Sequence, residues 1–191
     1  MKKLILFDKS LFLKINRDWS NPFFDQVMPF LRTPSLWIPF YLFLFVFMVI
    51  NFGRRAWAWI LFFVVTVSAT DIISSRFIKP GFARLRPCND ETVSSTIRML
   101  AEYCGQNGSF TSSHAANHFG MAVFLFLTLR SIIGKWSGLI FIWAAMICYA
   151  QVYIGVHFPF DVAGGALLGF IIGSLTASVF NKRFGLVPDQ R

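Results

Sequence analysis

All three histidines of this chain, His114, His118 and His157, fall in short polar patches between apolar runs. His157 stands four residues before Asp161 in the stretch VHFPFD. A carboxylate at that spacing can accept a hydrogen bond from one ring nitrogen, fix the tautomer, and leave the other nitrogen free to attack. His114 closes the stretch TSSH, which opens an apolar run at Thr111. Exposed N–H groups at a helix start, beside small hydroxyl residues such as Ser112 and Ser113, seat an anion. An imidazole next to that seat can give a proton to a leaving oxygen. His118 lies one helical turn further on the same face and reads as a packing residue. A third patch, RFIKPGFARLRP at residues 76–87, gathers Arg76, Lys79, Arg84 and Arg86. Arginine forks two hydrogen bonds to an oxyanion, and lysine adds a mobile point charge. Pro80 and Pro87 make this run a shaped loop rather than a continuing helix. Each patch alone also has a plainer reading: basic anchors at a membrane surface, a hydroxyl cap on a helix, a capping aspartate.

The elements that must position these residues follow from composition. The chain has 191 residues, 55% of them hydrophobic, 18% aromatic and only 14% charged, which is too little polar surface for a soluble domain of this size. The sequence predicts an all-α integral membrane helical bundle forming one domain over 1–191. Five stretches approach the roughly 20 apolar residues that cross a bilayer as helix: 36–52, 56–75, 110–129, 136–154 and 162–180. A sixth, partial crossing is open within the N-terminal segment 1–34, where 4–15 and 23–31 are too short to span and read as interfacial helices. The bundle core is 35–181, and residues 76–109 form its long loop. Trp37, Trp57, Trp59 and Trp136 lie near span ends, as in an aromatic belt. No cleavable leader is read at the start, because Asp8, Lys9 and Lys14 break its apolar run.

The net charge of +9 is spread between apolar runs, so lipid headgroups and anionic substrates are better partners than nucleic acid. With five spans, Arg54, Arg55, Arg130, Lys135, Lys182, Arg183 and Arg191 share one side with a single acid, Asp189, and that side is cytoplasmic. The three polar patches then converge on the outer face. Lys2, Lys3, Lys9 and Lys14 conflict with this count unless their segment crosses or dips. Cys88 and Cys104 flank one polar loop and suit a disulfide in an oxidising compartment. Asp71, inside the second span, is expected to pair with Arg76 or Lys79.

Taken together, the patches resemble the three-part signature of the type-2 phosphatidic acid phosphatase superfamily. Lys79 through Arg86 and Pro87 match K-x6-R-P in full, TSSH matches P-S-G-H at Ser112 and His114, and His157 and Asp161 match the end of S-R-x5-H-x3-D. Thr111, Ser113, Ala150 and Gln151 depart from it. The resemblance implies that His157 is a nucleophile forming a phosphohistidine, that Asp161 holds its ring, and that His114 protonates the leaving oxygen. It implies that Lys79, Arg86, Ser112 and the Ser113 backbone N–H bind phosphoryl oxygens, with Gln151 also in contact. No metal or other cofactor is needed, because protein cations neutralise the developing charge. A neutral amide at Gln151 forfeits a charge-assisted bond, and Arg84 is expected to supply the missing charge. The implied enzyme is a hydrolase of lipid phosphate or pyrophosphate in a bacterial inner membrane, multi-pass, with its site facing the periplasm. Undecaprenyl pyrophosphate, phosphatidylglycerol phosphate, phosphatidic acid and lipid A phosphates are the candidate substrates. A phosphotransferase using the same intermediate, a small transporter, and a metal site on the histidines and Asp161 are the alternatives.

Overall fold

The computed structural model describes residues 2–186; Asp189 and Arg191, which entered the orientation count, lie outside the described residues. Among the described residues there is no strand, and eight α-helices follow one another. They are α1 (Lys2–Leu13), α2 (Pro22–Arg32), α3 (Ile38–Phe52), α4 (Arg54–Ile72), the single turn α5 (Lys79–Phe82), α6 (Ser113–Ile133), α7 (Leu139–Tyr153) and α8 (Pro159–Arg183). Four stretches are long and apolar enough to cross a bilayer: Pro34–Phe52, Arg54–Asn89, Ser113–Tyr153 and Pro159–Arg183. The third holds both α6 and α7, which are separated at Gly134 (φ 67°) and pack against each other.

The central pair is α6 and α8. Gly165, Gly169 and Gly173 repeat every four residues and therefore share one face of α8. A Cβ on Gly169 would run into the Ala116 carbonyl and the Gly120 amide, and one on Gly173 into the Gly120 carbonyl. The two backbones thus lie in direct contact, as small residues permit between helices in lipid. The contacts advance together along both helices, so α6 and α8 run parallel and α7 is the return between them. That topology brings residues 112–118 and 157–161 to the same end of the bundle. The Ser112 N–H donates to the Asp161 carbonyl (2.9 Å) and locks the two helix starts together.

Helix α4 joins this pair through polar ties suited to an apolar setting. Trp59 Nε1 donates to Thr128 Oγ1 (2.9 Å), Thr66 and Thr176 share a hydroxyl bond (2.7 Å), and Thr70 donates to Asn117 (2.7 Å). Beyond Ile72 the helix widens into a π-turn over Ile73–Ile78, and α5 ends at Ala83 in the left-handed region (φ 44°). A π-turn there re-aims the segment that carries Lys79. Asp71 accepts from Asn117 Nδ2 (3.4 Å) on α6; it forms no ion pair with Arg76 or Lys79, so the expected pairing within the helix is replaced by one across helices.

The N-terminal segment packs at the end of the bundle where the polar patches meet. Lys9 Nζ reaches Asp90 (2.6 Å) and Thr92 (2.6 Å) in the long loop. Asn16 is buried and fully used: its amide donates to the carbonyls of Arg98 (2.8 Å) and Tyr153 (2.7 Å), and its oxygen accepts from the Arg98 N–H (2.8 Å). Lys9, one of the lysines that conflict with the charge count, therefore lies on the same side as the long loop.

Replacing Gly169 by Val should force α6 and α8 apart and destabilise the protein by about 1–3 kcal/mol, the usual range for overpacking. Gly138→Ala, where an added methyl meets nothing within 4 Å, should leave thermal unfolding in detergent unchanged.

Candidate active site

A cavity of about 360 Å³ opens where the three patches converge, lined by Lys79, Arg86, Ser113, His114, Gln151 and His157, with Ser75, Arg32 and the loop residues Tyr103 and Gly105–Asn107. His157 follows the end of α7 and precedes the Pro159 start of α8, so its ring sits in the turn between two helices. Arg86 Nη1 lies 3.2 Å from His157 Nε2. A guanidinium can only donate, so Nε2 is the acceptor and the proton resides on Nδ1. On that side Ser109 Oγ is 3.3 Å from Nδ1 and itself donates to Asp161 Oδ2 (2.5 Å). Asp161 Oδ2 is 3.7 Å from Nδ1, so the carboxylate steadies the ring mainly through the Ser109 hydroxyl. Ser109 was not among the residues singled out in the sequence; a lone serine after Gly108 carries no signal of its own.

His157 is 2% exposed, and burial pushes its imidazole down to about 4, against the raising effect of Asp161. The ring is neutral at physiological pH, and its Nε2 lone pair, which here accepts from Arg86, lies at the cavity and becomes nucleophilic once that donor turns to another acceptor. Lys79, 7% exposed, and Arg86 supply positive charge there. Arg86 is shaped by its neighbours: Nε donates to the Asn107 carbonyl (3.0 Å) and Nη1 to the Val156 carbonyl (3.3 Å). A Cβ on Gly105 would come within 3.0 Å of its guanidinium. Cys88 and Cys104 are joined in a disulfide, which ties the roof segment to the chain just after Arg86.

Two expected phosphate contacts are placed elsewhere. Arg84 does not line the cavity: its guanidinium donates to Asp161 Oδ1 (2.6 Å) and Asp8 Oδ2 (2.5 Å) and lies over the Phe158 ring at 4.5 Å. Two buried carboxylates claim its donors, so it is not free to replace the charge missing at Gln151. Asp8 also accepts from the Phe160 N–H (2.9 Å) at the start of α8, and burial raises its pKa above the usual carboxylate value. Ser112 is buried and faces inward, where its hydroxyl accepts from the Ala115 N–H (3.4 Å) as the cap of α6. Ser113 lines the cavity instead and shares a hydroxyl bond with Ser74 (2.9 Å). His118 donates from Nδ1 to the His114 carbonyl (2.8 Å) and packs edge-on to Trp143.

Ser113 and His114 are shared with a second, larger groove of about 530 Å³ between α3, α4 and α6. Its walls are chiefly apolar, with Tyr41, Phe63, Val64, Val67 and Met121, and Asp71, Asn117 and His118 add polar groups. A polar, cationic cavity thus adjoins an apolar groove at one imidazole.

This helical bundle, with cations and imidazoles gathered at one cavity, is the architecture of a membrane phosphatase, and comparison with known proteins gives the family. Residues 57–185 match the PAP2 superfamily model, and the chain belongs to that superfamily of membrane phosphatases. It is 30% identical over 165 residues to a lipid A 4'-phosphatase of Bacteroides thetaiotaomicron, covering 85% of this chain and 72% of that protein. It is 27% identical to a lipid A 4'-phosphatase of Porphyromonas gingivalis over 94% of this chain and 75% of that one. In fold it is similar to a transmembrane PAP2-type phosphatidylglycerolphosphate phosphatase from Bacillus subtilis, with a TM-score of 0.73, 20% identity, and coverage of 100% of this chain and 90% of the other.

Arg84→Met should leave two buried carboxylates without their partner and cost roughly 3 kcal/mol, read by thermal or denaturant unfolding. A phosphate ligand would instead show unchanged stability and a raised KM. The folded-state value of His157, about 4, lies below the ordinary 6.5, so the unfolded chain binds more protons between the two. The stability from this residue is therefore complete above pH 6.5 and lost as pH falls toward 4, and His157→Gln should flatten that acid-side slope.

Proposed function

We propose that this protein is a metal-independent phosphatase that removes a terminal phosphate from a membrane lipid through a phosphohistidine intermediate. The observation that carries the reading is His157: its Nε2 faces a cavity lined by Lys79 and Arg86, while Nδ1 is backed by Ser109 and Asp161. In the first step Nε2 attacks phosphorus and the ester P–O bond breaks. His114 gives its proton to the departing oxygen, and the phosphoryl group stays on His157. Lys79, Arg86 and the groups at Ser113 take the charge spread over the equatorial oxygens. In the second step His114 takes a proton from water, whose oxygen attacks phosphorus. The P–N bond breaks, releasing inorganic phosphate and neutral His157.

The substrate class we assign is a phosphate monoester on an acylated sugar lipid of the lipid A type. Two relatives named lipid A 4'-phosphatases, each matched over more than four-fifths of this chain, support that choice. The apolar groove that reaches His114 supports a substrate whose tails stay in hydrocarbon. The chain is taken as one membrane domain over 1–191 with five to six crossings in a bacterial inner membrane, its site facing the periplasm. The Cys88–Cys104 disulfide supports an oxidising compartment on that side. α1, which exposes Leu4, Ile5, Leu6 and Phe7, is taken to lie in the interface.

The test is phosphate release by purified protein in mixed micelles over a panel of phosphorylated lipids, with and without chelator. Release should be unaffected by chelator and fastest on the acylated sugar phosphate, and His157→Ala should reduce it to background. Label transferred to a second lipid in place of free inorganic phosphate would mean a phosphotransferase, and chelator-sensitive release would sink the metal-independent mechanism.

A further inference from the structure

The cavity carries an unexplained pair of residues. Gln151 is fully buried, and neither its amide nitrogen nor its amide oxygen has a hydrogen-bond partner among the described residues. A buried amide left unmatched on both atoms is costly, and it faces the same space as His157. Arg32, the last residue of α2, lines that space too. Its guanidinium is half-buried and makes no ion pair or side-chain hydrogen bond among the described residues. Three other guanidiniums at this end are engaged: Arg84 holds Asp8 and Asp161, Arg98 holds Asp25, and Arg86 donates to two carbonyls and to His157. Glu102 lines the cleft on the other flank of Arg32 without pairing to it. A half-buried cation with no ion-pair partner, sharing a cavity with a buried amide that lacks any partner, is half of a binding site.

We infer that Arg32 is the third cation of the phosphate clamp, standing in for the arginine that the motif resemblance would put at position 151, with Gln151 as a neutral donor beside it. The inference rests on the proposed phosphatase reading and deepens it. Lys79 and Arg86 come from the first part of the long loop, whereas Arg32 comes from the N-terminal segment, outside the matched residues 57–185. The N-terminal segment is thereby part of the binding site. One guanidinium from position 32 and one amide from position 151 then serve the cavity together. Two guanidiniums at 32 and 151 would add like charge in a site that already holds Lys79 and Arg86.

The experiment measures vanadate binding and phosphate release for the full-length protein in detergent. Arg32→Met should weaken vanadate and lower kcat/KM by roughly 10- to 150-fold, as expected for loss of a charge-assisted bond, with the melting temperature held. Arg32→Lys should fall between. Adding Gln151→Arg to Arg32→Met should restore most of both readouts, because charge returns to the same cavity from the other wall. Vanadate affinity unchanged in Arg32→Met overturns the inference. So does a loss that comes with a lowered melting temperature and no rescue by Gln151→Arg, which marks a structural role. Retained phosphate release in His157→Ala strikes the parent reading alone, since vanadate affinity still reports on the clamp.

Discussion

One guanidinium holds the working end of this molecule together. Arg84 satisfies two carboxylates that are both fully buried, Asp8 from α1 and Asp161 from α8, and rests on the ring of Phe158. Without it, two negative charges would face each other in a poorly solvated interior, which neither helix could tolerate. With it, Asp161 has one oxygen for Arg84 and the other for Ser109 and the Phe158 N–H. The direction of the His157 ring is set at the end of this chain of bonds. Asp8 uses its remaining oxygen on the Phe160 N–H, one of the donors left open at a helix start, and so fastens α1 to α8.

The cavity reached from this frame is electrostatically one-sided. Arg32, Lys79 and Arg86 line it, while the nearby acids Asp8, Asp25 and Asp161 are already committed to other arginines. Positive charge therefore gathers at the cavity that His157 faces. Such a distribution suits an anionic group, and in the proposed reaction it would meet the charge that develops in phosphoryl transfer.

How much of this could be read from residue order depends on the range of the interaction. The apolar stretches follow from hydropathy, and the return of the chain to one face at the starts of α6 and α8 follows from counting those stretches. The convergence of Lys79, Arg86, His114 and His157 follows from that topology. Arg84 was misplaced because its partners, Asp8 and Asp161, lie 76 and 77 positions away, and nothing local distinguishes a paired arginine from a free one. Ser112 and Ser113 are adjacent hydroxyls; only the close packing of α8 on α6 decides which is enclosed. Arg32 resembles any cation in the last turn of a helix until the fold brings it to the cavity that Gln151 also lines. Lys9 looked inconsistent with the charge count because its acid, Asp90, belongs to the distant long loop.

The groove that meets the cavity at Ser113 and His114 is walled mainly by hydrocarbon side chains of α3, α4 and α6. A molecule using this route never passes through bulk water. What the protein samples is then a mole fraction in a two-dimensional fluid, so inert lipid added at constant substrate acts as a diluent. Its saturation behaviour belongs to surface chemistry.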